Sequence, residues 1–132
     1  MKRLLLVLVT IVAIEELTFA QKGMAVAFVD EERVRESGDR EVLQNFEYFY
    51  QRIQEVAKRD FPGIQLRMLK AGQLLRLPDG TGLNVQTMHA SLGFVLSAKG
   101  RKRRVLTGIQ SEADFACAAA SFFRKRSPAC PK

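Results

Sequence analysis

The order of apolar patterns along the chain predicts a mixed α/β domain: strand, helix, strand, an irregular stretch, then a β-hairpin and a closing helix. Three observations carry this. Residues 24–29 (MAVAFV) form a compact apolar run that suits a buried strand. Residues 40–59 repeat apolar side chains at spacings of three and four, the signature of an amphipathic helix. Residues 92–97 (LGFVLS) and 104–109 (RVLTGI) are two extended runs flanking a Gly-containing loop, which reads as a hairpin. At 132 residues, 47% of them apolar, the chain has the length of one domain and enough apolar side chains for a core.

Ahead of the first strand, Met1-Lys2-Arg3 is a short basic start. Residues 4–14 follow with only Thr10 polar, and Thr18-Phe19-Ala20 ends on a small residue. That layout predicts a signal peptide over residues 1–20, cleavage before Gln21, and export to a periplasmic or extracellular location. This run of eleven residues falls short of the roughly 20 that an ordinary transmembrane helix needs. Glu15 and Glu16 are unusual so near a cleavage site, and anchoring by an uncleaved signal is the alternative outcome. Residues 21–132 are then one α/β domain with a short basic tail.

Within it, the charged residues 30–39 read as a loop, with Ser37 or Asp39 placed to cap the next helix. In that helix Val42, Phe46, Phe49, Tyr50, Ile53, Val56 and Ala57 share one face. Pro62 stops it and disfavours helical geometry at Phe61. Residues 64–69 alternate, with Ile64, Leu66 and Met68 against Gln65 and Arg67, as a half-buried strand does. Residues 73–77 read as a short extended piece, and Pro78-Asp79-Gly80-Thr81-Gly82 as a turn. Residues 83–90 have no clear period. After the hairpin, Ser111 caps a helix whose apolar face holds Phe115, Ala118, Ala119, Phe122 and Phe123. Glu112 and Asp114 near its start and Arg124-Lys125-Arg126 at its end complement its dipole.

The run Phe94-Val95-Leu96-Ser97-Ala98-Lys99-Gly100, then Val105-Leu106-Thr107-Gly108-Ile109, then Ser111 opening a helix, resembles the end of a thioredoxin. Ala27-Phe28-Val29, followed by a loop and a long helix, is similar to its beginning. The resemblance covers about residues 24–125 and implies a thioredoxin-like fold. Neither signature of the family's redox site carries over. The segment 31–39 has no Cys where a Cys-x-x-Cys belongs, at the helix N-terminus that would activate its thiol. No proline lies between Asp79 and Ser127, so Ser91 or a neighbour holds the place of the family's cis-proline. The implied frame is thioredoxin-like and degenerate, without disulfide exchange.

Two thiols, Cys117 and Cys130, remain. The helix rises about 13.5 Å from Cys117 to Arg126. Four extended residues retrace about 13 Å. A tail folding back can therefore join the two in a structural disulfide, with free thiols or an intermolecular bond as the other outcomes. Two Cys and one His exclude four-cysteine and Cys2His2 zinc sites. No metal or cofactor is expected. His89 has no nucleophile and acid in evident reach, and G-x-S-x-G is absent, so the enzyme reading has no visible catalytic residue. The turn at 78–82 lacks the Lys and spacing of a phosphate loop, and residues 30–32 lack the ligand spacing of a calcium loop.

The net charge of +7 is unevenly placed. Residues 21–60 hold 7 basic and 9 acidic side chains; residues 61–132 hold 12 basic and 3 acidic. Lys99, Arg101, Lys102, Arg103 and Arg104 gather at the hairpin tip, and Arg124, Lys125 and Arg126 at a helix end. These eight are the candidate binding residues. The reading is an exported, redox-inactive binding or scaffolding module of the cell envelope, its partner an envelope protein or an anionic surface. One alternative is electrostatic docking on anionic lipid, polysaccharide or nucleic acid; the other is an enzyme with an unrecognised site. No aromatic interleaves the basic hairpin residues, so specific nucleic-acid binding is not expected.

Overall fold

The computed structural model describes residues 23–38 and 40–131. The signal-peptide reading of residues 1–20 and the capping role of Asp39 lie outside the described residues. A central strand, β1 (Met24–Val29), pairs in parallel with β2 (Gln65–Lys70) on one side and antiparallel with β5 (Leu92–Ser97) on the other. Strand β6 (Arg104–Thr107) continues antiparallel from β5, giving a four-stranded sheet of order β2-β1-β5-β6.

Every residue of β1 and of β5 is buried, because both faces of the sheet are covered. That is why β1 reads as an unbroken apolar run and not as an alternation. On one face Ala25, Ala27, Val29, Leu92, Phe94 and Leu96 pack with the helices. On the other, Met24, Val26, Phe28 and Val95 pack with Leu69, Leu77, Leu83 and Val85. The helical face carries α2 (Arg40–Asp60) and α3 (Glu112–Phe123). From α2 come Phe46, Ile53, Val56 and Ala57; from α3 come Phe115, Ala116, Ala118 and Ala119. Phe94 sits between them, its ring 6.2 Å from that of Phe46 and 5.5 Å from that of Phe115. Phe61, just past α2, meets Phe115 edge-on at 6.2 Å.

The opposite face is roofed by a small hairpin, β3 (Leu74–Arg76) and β4 (Gly82–Asn84), and a 3-10 turn, Val85–Thr87. The 3-10 turn is capped by Asn84, whose side chain accepts from the Gln86 N–H. Residues 83–90 gave no period because these elements are only three residues long and take their order from what they cover.

The expected loop at 30–39 contains a helix, α1 (Glu31–Glu36). Asp30 caps it by accepting from the Arg33 N–H at 3.3 Å, and Glu31 pairs with Arg35 one turn on at 3.6 Å. Charge concealed the helix, since Val34 is its only buried residue. Ser37 does not cap α2. It ends α1, donating its hydroxyl to the Val34 carbonyl at 2.6 Å. At the other end of the chain, Ser111 caps α3 in a reciprocal capping box with Asp114. The second hairpin strand stops at Thr107, so Gly108 and Ile109 lie beyond it. No described helix is long and apolar enough to cross a membrane.

Candidate functional site

Cys117 and Cys130 are bonded, S–S 2.01 Å with Cα atoms 4.8 Å apart. The tail after α3 therefore turns back along the helix. Arg124 makes that reversal in the left-handed conformation, φ 56°. The Lys125 N–H then donates to the Ala120 carbonyl at 3.0 Å. Ser127 donates its hydroxyl to Asp60 at the end of α2, at 2.6 Å. The Asp60 carboxyl is 4% exposed. Hydrogen bonds from Arg59 first, and from Ser127, hold it below the usual carboxylate range. By the chain-entropy account, closing a loop of this size with a disulfide is worth about 3 kcal/mol. Both thiols are thus used in holding the tail, as a staple would use them, and among the described residues no free thiol remains.

Between β1 and α2, polar contacts hold α1 to the loop before β5. The buried Asp30, at the end of β1, donates its N–H to the Ser91 carbonyl at 2.7 Å. From α1, Arg33 donates to the carbonyls of Met88 and His89 at 2.9 and 3.0 Å. Those contacts tie α1 to the loop before β5. The imidazole of His89 is exposed, and only its backbone takes part. Glu31 pairs with Lys70 at 3.1 Å, so within the acidic run 30–32 Asp30 serves a cap and Glu31 two ion pairs. Among the described residues no group of three His, Cys, Asp or Glu could hold a metal ion.

One of the eight basic candidates joins the hairpin tip to the end of α3. Arg101 makes the join. Its guanidinium donates to the Phe122 carbonyl and lies 5.9 Å from the centre of the Phe122 ring. Arg103 turns to the roof instead. It donates to the Thr81 hydroxyl and the Gly82 carbonyl and lies 4.0 Å from the Asp79 carboxylate. Burial raises the Asp79 pKa, but hydrogen bonds from Thr81 and Ser97 and the Arg103 charge outweigh it. Its carboxyl is left below the ordinary range. The turn at 78–82 thus anchors the hairpin tip, with Asp79 folding back to accept from the Thr81 N–H at 2.8 Å.

Lys99, Lys102, Arg104, Arg124, Lys125 and Arg126 are exposed and form no ion pair among the described residues. So the hairpin tip divides. Arg101 and Arg103 hold the structure together, and the others face solvent. The pattern of the sequence did not distinguish them, because the distinction depends on where the end of α3 and the 78–82 turn come to lie.

A second feature escaped the sequence reading. Strand β6 is an edge of the sheet, and beside it on the helical face runs a groove of about 460 Å³. Its walls include Arg104 and Leu106 of β6, Ala113, Cys117 and Ala118 of α3, and Pro131 of the tail. The short side chains of α3 at 113, 117 and 118 leave the space. The one available signal was the alanine-rich composition of that helix.

No protein-family model, no curated protein and no solved structure matches this chain.

Proposed function

We propose that the chain is an exported, redox-inactive, thioredoxin-like binding module of the cell envelope. The observation that carries the reading is the arrangement of the sheet. Strand, helix and strand (β1, α2, β2) are followed by the hairpin β5–β6 and then α3, as the resemblance implies. All four strands join one sheet, with α2 and α3 packed against one face. The absence of thiol exchange is supported by Asp30 at the N-terminus of α1 and by the commitment of both cysteines to the tail. The disulfide also fits an oxidising compartment, as does the layout of residues 1–20.

Insulin reduction tests the redox part. With dithiothreitol present, the protein should leave the rate of insulin precipitation at that of the reductant alone. Clear acceleration would refute the reading. A second reading, electrostatic docking on an anionic lipid surface, draws on the exposed cations of residues 99–104 and 124–126 and on the contact of Arg101 with Phe122, two residues before the second cluster. It forms one arm of the experiment below.

A further inference from the structure

We infer that the outer edge of β6 takes up an extended acidic peptide segment of a partner protein as a fifth strand. The inference deepens the binding-module reading by giving it a site, and it does not depend on the resemblance to thioredoxin.

The backbone pattern is fixed by one contact. The Gly108 N–H donates to the Leu92 carbonyl at 3.0 Å. In the register of the hairpin, Phe94/Leu106 and Leu96/Arg104 are then the hydrogen-bonded pairs. Hydrogen-bonded and non-hydrogen-bonded pairs alternate along an antiparallel ladder. The main-chain groups of Val105 and Thr107 therefore point away from β5. The Gln110 amide donates to the Thr107 carbonyl at 3.0 Å. The N–H and carbonyl of Val105 and the N–H of Thr107 are left at the edge, where β6 pairs with no other strand among the described residues.

Side chains on both faces suit an added strand. On the helical face, the groove beside Leu106 accepts a residue from it. On the other face, Val105 is 39% exposed and offers an apolar cross-strand contact. Charge selects the occupant. Arg104 lies in the groove wall and is exposed, as are Lys102, two residues before it in the chain, and the 124–126 cluster after α3. The one carboxylate of the groove, Asp114, accepts from the Ser111 N–H at 3.1 Å and so belongs to the helix cap. Main-chain pairing would supply affinity, and the cations would supply selection for glutamate or aspartate facing Arg104.

The test uses an acetylated octapeptide of alternating glutamate and valine, titrated into the full-length protein labelled with nitrogen-15. The amide signals of Val105 and Thr107 should shift most, with saturation. The same peptide carrying lysine for glutamate should bind at least about tenfold more weakly. Val105→Pro removes the outward donor, and an edge strand tolerates proline where its N–H faces solvent. This variant should keep the parent circular dichroism and lose at least about tenfold in affinity. Arg104→Glu should do the same without touching the backbone, which keeps the test decisive should Val105→Pro unfold. Equal binding by the lysine peptide, shifts centred elsewhere, or unchanged affinity in either folded variant would overturn the proposal. So would binding to phosphatidylglycerol vesicles with none to the peptide, which would favour the lipid reading. Neither result bears on insulin reduction, so failure of this site and failure of the redox reading are told apart.

Discussion

Phe94→Ala should destabilise the protein by about 3–5 kcal/mol, the range for truncating a buried aromatic. Phe94 is 1% exposed and stands where β5, α2 and α3 converge. Its ring touches a chain of aromatics that links Phe46 on α2, Phe115 on α3 and Phe61 beyond α2. Truncation removes the joint between both helices and the sheet, and the two rings that flank the void limit its collapse. For a domain of this length the melting temperature should fall by on the order of 15–20 °C. Urea unfolding should show the same loss as a lower midpoint with an unchanged slope. A loss below about 1 kcal/mol would mean that Phe94 is not in the core.

Gly93→Ala should cost about 3 kcal/mol, although it adds only one methyl group. A Cβ at residue 93 would lie 2.2 Å from the Leu106 carbonyl oxygen and 3.0 Å from the Phe28 ring. The first obstacle is backbone of the paired strand, which cannot rotate aside as a side chain can. Strand β6 would have to move from β5, opening the ladder, and overpacking of this kind costs about 1–3 kcal/mol, occasionally more. Gly63→Ala is the control: a Cβ there meets nothing within 4 Å. It should change stability by less than about 0.5 kcal/mol. Equal effects from the two substitutions would contradict the register of β5 and β6.

Phe94 and Gly93 also mark how far the sequence could be read. The residues 92–97 were legible as a strand, and the face of α2 as a helix, because both follow the periodicity of a buried element. Ser111 and Asp114 announced α3 by a local cap. The pairing of Cys117 with Cys130 was open to arithmetic, since it joins near neighbours in the chain. What lay hidden depends on distant partners. Helix α1 buries only Val34 and is held by Asp30 and by the reach of Arg33 to residues 88 and 89. Strand β3 falls inside the extended piece read at residues 73–77, but β4 is too short to show a period and is ordered by the sheet it roofs. The separate duties of Arg101 and Arg103 follow from the positions of Phe122 and Thr81, some twenty residues away. The open edge of β6 is likewise a property of the sheet and not of residues 104–107.

We propose that the bond between Cys117 and Cys130 is a staple for the tail and not a redox couple. Equilibration of the native protein in thiol–disulfide buffers, read by intact mass, tests it most directly. The Cys117–Cys130 bond should remain closed at a poise near about −270 mV, as structural disulfides do. Half-reduction between about −120 and −270 mV, the range of working oxidoreductases, would contradict it.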